Sequence, residues 1–391
     1  MERWPVPHTA AHDAATPHYP DRVLLVGVSV RMLAQSCARA GIGALALDWF
    51  ADSDTAACSE HCEAVIRADA LDFDRARLAA LAERLAPAGS GVALIYGGGM
   101  DGRPDLLETL AQGRTLYGNA PDTVKRVKTP HRFFPLLDDL GIPYPPTQLA
   151  FSRPVNDPGE WLVKHRSGEG GTGISRFGAG QTVPLDCYLQ RRLCGPGHSL
   201  LFLADGTDIA AIGFNRLMTT NHRDDRPLLF GGALTPAELT VEQRLAVHGH
   251  ALALTRALRL VGLNSLDFIV REGRCHVLEI NPRPSATLGL HDQAYPRGLI
   301  AAHIAACRGT LTRAAAEPRP PRGFRIVYAD RDFAVPPGVA WPDWAADRPA
   351  AGTFIASGNP VCTVTATAPS VAELERQLFA RQQLIRAPLM L

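Results

Sequence analysis

The sequence predicts a mixed α/β (α+β) protein with more than one domain, and three observations support this fold class. At 391 residues, the chain is longer than one ordinary hydrophobic core requires. A buried strand, a helix and a second buried strand follow one another near its start, which is the order of a parallel α/β unit. From about residue 145 onward, short strands alternate with glycine-rich turns, a pattern typical of antiparallel sheets.

An N-terminal α/β domain is predicted over residues 21–120. The run "RVLLVGVSV" (Arg22–Val30) is continuously apolar and rich in β-branched residues, as buried parallel strands are. The stretch "RMLAQSCARAG" has helical spacing with a glycine at its end, and "ALALDWF" follows as a second strand. A helix over 74–85 and a strand over 91–99 continue the unit. Residues 1–20 lack the positive and apolar regions of a signal peptide, so a flexible leader is predicted there.

A second domain is predicted over residues 121–315, opening with a helix that Pro130 interrupts. Its other predicted elements are a strand at "DCYLQRRL", a hairpin turning at Asp205-Gly206, a helix over 236–260, a strand pair joined at Glu272-Gly273 and a helix over 289–307. The proline-rich linker "EPRPPRG" then leads to a small C-terminal α/β domain over 320–391, with short strands and a final helix over 371–384.

Composition excludes several classes of protein. The formal net charge is +1, so no bulk electrostatic attraction to nucleic acid or to an anionic membrane is expected. No stretch reaches the roughly 18 apolar residues of a membrane span. The 8 cysteines are scattered, which favours a reducing compartment over a disulfide framework and predicts a cytoplasmic location. Cys58, His61 and Cys62 could hold zinc, although no second ligand pair follows at zinc spacing.

Lysine is rare in this chain. Lys125, Lys128 and Lys164 are the only lysines among 40 Lys+Arg residues. Codon bias toward arginine accounts for the bulk of this ratio. Under such a bias, the remaining lysines are candidates for positions where a compact ammonium cannot be replaced by a planar guanidinium.

A glycine-rich stretch follows one of these lysines. The segment "WLVKHRSGEGGTGI" contains G-x-G-x-x-G at Gly168, Gly170 and Gly173. The residues after it have no helical period, which disfavours a dinucleotide fingerprint, and no Gly-Lys-Ser/Thr ending indicates a P-loop. The pattern favours a loop between antiparallel strands that folds its amides over phosphate oxygens, with Lys164 directed at the same phosphates. The alternative is a surface turn with a solvated lysine.

An acid, an amide and a base alternate in "HVLEINPRPSA". Because side chains alternate along a strand, Glu279, Asn281 and Arg283 should project from one face. If the preceding turn has a three-residue loop (272–274), Asp267 lies opposite Glu279. Two carboxylates and an amide oxygen suit Mg²⁺, and the arginine could brace a transferring phosphoryl group. The alternative is an ordinary strand with a salt-bridged Glu279–Arg283 edge.

These motifs together resemble a known family. "VKHRSGEGGTGI", "YLQRRLCG", "SLDFIV" and "LEINPRPS", in this order, resemble the ATP-grasp superfamily of carboxylate–amine ligases over about residues 121–292. The resemblance implies an ATP-grasp fold of two lobes with a hinge near 188–195, a parallel preATP-grasp domain before it and a small β-rich domain after it. The stretches "GVSVR", "ALDWFADSDT" and "YGGGMDG" are similar to the branch that contains tyramine–glutamate ligase and serves one-carbon cofactor biosynthesis.

The resemblance also implies a role for each motif residue. Asp267, Glu279 and Asn281 would bind two Mg²⁺ ions, for which Mn²⁺ could substitute, with Glu279 bridging them. Arg283 and Lys164 would be the catalytic residues. The ATP-binding residues would be Lys128, Lys164, Gly170, Gly171, Gly173, Gln190, Leu193 and His198. Lys125 is an alternative to Lys128, and His198 stands where many members have a glutamate. Glu169 is expected to face solvent or to contact a cationic substrate group.

The implied activity is ATP-dependent amide formation through an acyl phosphate, with a small-molecule carboxylate such as glutamate and an amine as substrates. Ser29 and Arg31 follow a parallel strand, where ligands bind, and Arg31 could hold a substrate carboxylate or be a surface arginine. A nucleotide-binding regulatory protein and a phosphotransferase are the alternative functions. The oligomeric state is open, with a homodimer as one candidate.

Overall fold

A computed structural model of the chain describes residues 19–67, 71–149, 160–178, 180–220, 227–314 and 319–389. The leader predicted over 1–20 lies almost wholly outside the described residues. The predicted α/β fold class is confirmed, because the described residues form one parallel sheet and three antiparallel sheets.

The N-terminal unit is a five-stranded parallel sheet in the order β3-β2-β1-β4-β5. Its strands and helices are β1 Arg22–Gly27, α1 Arg31–Ala40, β2 Gly43–Asp48, α2 Ser53–Ala56, β3 His61–Ala64, α3 Arg75–Leu85, β4 Ala93–Tyr96, α4 Pro104–Ala111 and β5 Leu116–Tyr117. β1 pairs with both β2 and β4. The chain order changes direction beside β1, and a crevice at the carboxyl ends of such strands is where open α/β sheets bind ligands. The loop 97–102 leaves β4 at this edge.

Two short helices connect this sheet to the rest of the chain. α5 spans Pro121–Lys128 and α6 spans Pro130–Asp139. Each begins with a proline, which lacks the N–H that would stay unpaired in a first turn. Because Pro130 cannot continue α5, the predicted interruption is confirmed, and Lys128 is placed at the very end of its helix.

A four-stranded antiparallel sheet in the order β6-β9-β7-β8 comes next. Its strands are β6 Thr147–Gln148, β7 Trp161–His165, β8 Ile174–Arg176 and β9 Cys187–Arg191. The glycine-rich stretch joins β7 to its antiparallel partner β8, as predicted. Gly170 and Gly171 have φ values of 55° and 81°, and a Cβ on Gly171 would collide with the carbonyl oxygen of Leu228. This loop conformation therefore requires glycine at Gly171.

The largest sheet has eight strands in the order β14-β13-β10-β11-β12-β15-β19-β17. The remaining strands and helices are β10 Gly197–Asp205, β11 Ile209–Thr220, β12 Leu229–Thr235, α7 Val241–Leu258, β13 Val261–Arg271, β14 Arg274–Asn281, α8 Gly298–Cys307, β15 Arg322–Tyr328, β16 Phe333–Ala334, β17 Ala345–Ala346, β18 Phe354–Ile355, β19 Pro360–Thr367 and α9 Val371–Leu389. β15 pairs directly with β12, so C-terminal strands extend this sheet. The domain limits at 120, 315 and 320 stay predictions.

The helix predicted over 289–307 is wrong in its first half. Residues Ala286–Leu290 and Asp292–Ala294 form separate 3₁₀ turns, and α8 begins only at Gly298. Gly298 has a φ of 74°, a left-handed conformation that cannot lie inside an α-helix. The 3₁₀ turns follow directly on the acid–amide–base motif and cover one face of the large sheet.

The β13–β14 hairpin differs from its predicted geometry at two places that compensate each other. Arg271 pairs with Arg274, so the loop has two residues and the three-residue prediction is wrong. A shift in register between Asp267 and Phe268 leaves Leu278 as an extra residue in β14. Because of this bulge, Asp267 lies opposite Glu279, which confirms the predicted pairing.

Candidate functional site

A cluster of charged side chains lies where the carboxyl end of β4, the end of α5 and the β13–β14 hairpin meet. Tyr96 of β4 fixes this arrangement, because its hydroxyl group is 3.0 Å from the carbonyl oxygen of Pro282, just beyond the hairpin. The loop after β4 also lies against the hairpin end, since a Cβ on Gly98 would be 3.7 Å from Cζ of Arg283. The N-terminal sheet therefore forms one wall of the site.

Lys128 lies at the centre of the cluster. Its Nζ is 3.1 Å from Oδ2 of Asp101, 3.4 Å from Oε2 of Glu279 and 3.2 Å from Oδ1 of Asn281. Three acceptors thus surround the three N–H donors of the ammonium group. Lys125, the alternative named from the sequence, is exposed on α5, so the geometry favours Lys128.

Arg283 contacts two of the same residues, Asp101 and Asn281. Its Nε donates to Oδ1 of Asp101 at 2.9 Å, its Nη2 to Oδ1 of Asn281 at 3.3 Å and its Nη1 to the Pro284 carbonyl at 3.2 Å. A guanidinium has five N–H donors. Among the described residues, these bonds leave one N–H on each terminal nitrogen for a ligand.

Asp101 is the residue of this cluster that the sequence did not indicate. Its side chain is fully buried, and each of its oxygens faces a different cation, Arg283 and Lys128. Burial alone would raise its pKa, but the charges of Arg283 and Lys128 hold it below the usual range of a carboxyl group. The signal in the sequence was its place after the strand "ALIY", within "YGGGMDG", where α/β sheets present ligand-binding residues.

Asp267 and Glu279, the opposed carboxylates predicted from the sequence, repel each other. Burial and the nearby charge of Glu279 raise the pKa of Asp267 to about 7. Oδ2 of Asp267 accepts a hydrogen bond from Nδ2 of Asn281 at 3.2 Å. Carboxylate and amide oxygens, two of them already facing the ammonium of Lys128, form a set that a hard cation would complete. The residues present therefore fit Mg²⁺.

The described residues do not support a metal centre built from three or more His, Cys, Asp and Glu side chains. Within the described ranges, no group of three or more His, Cys, Asp and Glu side chains could hold a metal ion. Cys58, His61 and Cys62, the zinc alternative, lie on β3 and just before it, and Nε2 of His61 is 3.3 Å from Oε1 of Glu63. Mg²⁺ differs because it takes only one or two carboxylates and completes its shell with phosphate and water.

Lys164 reaches the same cleft from the small sheet. The cleft is lined by Lys128, Lys164, Gly168, Gly170, Gly171, Ile174, Tyr188 and Glu279, among others. Nζ of Lys164 is 3.2 Å from Oε1 of Gln190 and 5.7 Å from the ring centre of Tyr188. The structure thus brings both predicted nucleotide lysines and the glycine-rich loop around one opening.

The other predicted nucleotide residues are spread more widely. Gln190 is buried and also donates to Oγ1 of Thr147, while Leu193 follows the end of β9. Gly173 ends the glycine-rich loop. His198 is 3% exposed, stacks on Phe268 with ring centres 5.4 Å apart and is not among the described residues that line the cleft. Its contact with a ribose stays a prediction, and its packing is that of a core residue.

Ser29 and Arg31, predicted to bind substrate, both contact Asp347 of the C-terminal region. Nε of Arg31 donates to Oδ1 of Asp347 at 2.8 Å, and its Nη2 donates to Oδ2 at 3.2 Å. The hydroxyl of Ser29 donates to Oδ1 at 3.1 Å. The guanidinium fork therefore already holds a carboxylate of the chain itself. The expected role in substrate binding stays a prediction that this geometry does not favour.

Glu169 forms an ion pair within the chain and is largely shielded from solvent. Its Oε1 is 3.2 Å from Nη1 of Arg103, at the start of α4. Its side chain is 23% exposed. The expectation that it faces solvent is therefore wrong, because the glycine-rich loop folds toward the N-terminal sheet and takes Glu169 with it.

Comparison with known families agrees with this geometry. Residues 131–287 match the profile of the ATP-grasp domain. The chain contains an ATP-grasp domain. The resemblance noted in the sequence is thereby confirmed for this part of the chain. The matched range includes Lys164, the glycine-rich loop and the β13–β14 hairpin, while Lys128 and Asp101 lie before it.

One curated protein is similar to part of the chain in sequence. Over 216 residues the chain is 26% identical to the carbamoyl phosphate synthase large chain of Myxococcus xanthus, covering 50% of this chain and 19% of that protein. The chain thus spans under a fifth of that curated relative.

Two solved structures resemble the chain over most of its length. One is the biotin carboxylase domain dimer of Hydrogenobacter thermophilus 2-oxoglutarate carboxylase, in complex with MgADP, ADP and bicarbonate. It has a TM-score of 0.69 at 14% identity, over 91% of this chain and 88% of that one. The other, N5-carboxyaminoimidazole ribonucleotide synthetase of Thermus thermophilus, has a TM-score of 0.66 at 18% identity, over 91% and 96%. At these identities the likeness shows that the fold is shared over most of the chain, but it does not show a substrate.

No helix within the described residues is long and apolar enough to cross a membrane. The cytoplasmic location expected from the cysteine distribution stays a prediction.

Proposed function

We propose that the protein is an ATP-dependent carboxylate–amine ligase that forms an amide through an acyl phosphate and releases ADP and phosphate. One observation carries the proposal: the bulged hairpin brings Asp267, Glu279, Asn281 and Arg283 together around Lys128. Oxygen ligands beside two cations match the needs of a metal-bound triphosphate and of a developing acyl phosphate. The ATP-grasp domain match supports the same class of reaction.

In the first proposed step, an oxygen of the substrate carboxylate attacks the γ-phosphorus of ATP and ADP leaves. Positioning and charge neutralisation supply most of the catalysis in such phosphoryl transfers. Lys128 and Lys164 would neutralise phosphate oxygens, and the two remaining N–H groups of Arg283 would face the oxygens on which charge develops. In the second step, the amine nitrogen bonds to the acyl carbon and phosphate departs.

Asp267, Glu279 and Asn281 would hold Mg²⁺, and we propose two ions, with Mn²⁺ as a substitute. When bound, the metal supplies positive charge that neutralises the phosphates and polarises the transferring group. The glycine-rich loop, whose Gly170 carbonyl accepts a hydrogen bond from the Phe230 amide at 2.8 Å, would form a lid that excludes water from the acyl phosphate.

For the substrates we propose an amino acid carboxylate, glutamate, and an amine, in the biosynthesis of a one-carbon cofactor of the methanofuran or tetrahydromethanopterin type. The support is the similarity of "GVSVR", "ALDWFADSDT" and "YGGGMDG" to that branch. Among these stretches, "YGGGMDG" contributes Asp101 to the charged cluster, which supports a role for this stretch in the proposed site.

The test is ADP release from Mg-ATP with a panel of carboxylates and amines, with product mass as a second readout. The panel should include glutamate and also bicarbonate, because one structural relative was solved with bicarbonate. An amide product supports the ligase, whereas a phosphate ester would identify a phosphotransferase. If Mg-ATP raises the melting temperature and no panel member elicits ADP, the ligase proposal fails and a regulatory nucleotide-binding protein is favoured.

Arg283→Ala should lower kcat by about 10²- to 10³-fold, because an oxyanion donor acts mainly on the transition state. The affinity for ATP should change far less, since both lysines of the cleft remain. Steady-state kinetics of ADP release and calorimetric ATP binding measure the two effects separately. Arg271→Ala, at the exposed end of the same hairpin, is the matched control. An unchanged kcat in the Arg283 variant would refute its role.

A further inference from the structure

The glycine-rich loop places one carboxylate beside the charged cluster. Glu169 lies between Gly168 and Gly170, and its Oε1 would be 2.8 Å from a Cβ built on Gly102, the neighbour of Asp101. Thr172 closes the turn around it, with its Oγ1 donating to the Glu169 carbonyl at 2.7 Å. The loop thus holds this side chain against the wall of the site that Asp101 belongs to.

The partner of Glu169 is itself held in place. Nε of Arg103 donates to Oδ1 of Asp72 at 2.8 Å, and its Nη1 donates to the Gly99 carbonyl at 2.6 Å. Its guanidinium lies over the ring of Phe73, 5.4 Å from the ring centre. Arg103 therefore orients Glu169 through Oε1. In the part of the chain that the structure describes, no hydrogen bond engages Oε2.

The pKa of Glu169 is raised above that of an ordinary carboxyl group. Burial and the charge of Asp101 raise its pKa, whereas Arg283, Arg103 and Lys128 oppose the rise, and the result is about 7. A carboxylate with such a pKa can both accept a proton and release it near neutral pH.

Amide formation requires such a group, because an aliphatic amine is protonated at neutral pH and cannot attack until it loses a proton. The other carboxylates of the site already contact cations or belong to the proposed metal site. Both oxygens of Asp101 face cations, and Asp267 and Glu279 belong to the proposed metal site. Among the described carboxylates of the cluster, only Glu169 has an oxygen, Oε2, with neither a hydrogen bond nor a proposed metal ion.

We infer that Glu169 is the general base that deprotonates the amine nucleophile, an inference that rests on the proposed ligase function. The ammonium proton passes to the Glu169 carboxylate and from there to solvent. The freed nitrogen lone pair forms the C–N bond, and the acyl C–O bond breaks. Phosphate leaves with that electron pair and with the second nitrogen proton as hydrogen phosphate.

The experiment compares two small nucleophiles with Glu169→Gln, using glutamate or whichever panel carboxylate releases ADP. Ammonium must lose a proton before it attacks, whereas hydroxylamine is largely unprotonated at neutral pH. With ammonium, kcat should fall by about 10²- to 10⁴-fold, the usual contribution of a general base. Hydroxamate formation should remain within a few-fold of wild type. Glu272→Gln, an exposed carboxylate in the hairpin turn, should leave both rates unchanged.

A second readout is the pH profile. In wild type, kcat/KM for ammonium should rise with pH through about 7 as Glu169 loses its proton, and this limb should vanish in the variant. Glutamine can still accept a hydrogen bond from Arg103, so closure of the loop is retained. If Glu169 only held the loop closed, hydroxamate and amide formation would fall together, and Arg103→Gln would reproduce that loss.

The outcomes separate the two proposals. Parallel loss with both nucleophiles, or a pH limb that persists in Glu169→Gln, overturns the role of Glu169 and leaves the ligase intact. Absence of hydroxamate from the wild-type enzyme with every carboxylate tested overturns the ligase itself, and the inference with it.

Discussion

Glu279→Gln should remove ADP release, lowering kcat by about 10³-fold or more, while the fold is preserved. Glutamine has the size of glutamate but lacks its charge, so the variant loses an anionic ligand of the proposed Mg²⁺ site without losing packing volume. In the free protein, the side chain of Glu279 is 45% exposed, and its ion pair with Lys128 spans 3.4 Å. Its removal should therefore change the free energy of unfolding little, because partly exposed ion pairs contribute little to stability.

Metal binding offers a readout that is independent of turnover. Titration of the wild-type protein with Mn²⁺ in the presence of ADP, followed by electron paramagnetic resonance, should show bound ions, and Glu279→Gln should weaken that binding. Glu272→Gln, exposed in the turn of the same hairpin, is the matched control and should bind Mn²⁺ like wild type. Near-normal ADP release in the Glu279 variant would refute the metal assignment.

Most of the hairpin geometry could be predicted from the sequence, because side chains alternate between the two faces of a strand. Alternation along a strand predicts that Glu279 and Asn281 share a face, whatever the loop length. The pairing of Glu279 with Asp267 depended on an assumed three-residue loop, and it survived only because the bulge at Leu278 restores the register. A bulge inserts one residue with no distinctive residue type, so its position cannot be deduced from alternation.

Asp101 and Glu169 show what sequence patterns could not provide. Asp101 lies 182 positions from its partner Arg283, and Glu169 lies 66 positions from its partner Arg103. The periodicities that predict strands and helices are local, whereas these contacts depend on how the N-terminal sheet packs against the hairpin and the loop. The same limit applies to Arg31, since its partner Asp347 lies 316 positions along the chain.

Asp101→Asn should have the largest effect on stability, a loss of about 3–5 kcal/mol, the range seen when one partner of a buried ion pair is removed. Asp101 is fully buried. Without its negative charge, the positive charges of Arg283 and Lys128 would repel each other with less neutralisation. Urea unfolding at pH 7 measures the loss. Asp105→Asn, whose carboxylate pairs with Arg75 at the surface, is the control and should change stability little.

The pH dependence of this loss has a definite sign. Arg283 and Lys128 overcome the effect of burial and lower the pKa of Asp101 in the folded chain, so its ion pairs stabilise the fold at every pH above the ordinary carboxyl value of about 4. The contribution disappears only as the pH falls from there toward the lower value in the folded state. The difference in unfolding free energy between wild type and Asp101→Asn should therefore shrink as the pH is lowered below about 4. A difference that stays constant as the pH falls through this range would show that Asp101 is not held as a charged carboxylate between the two cations.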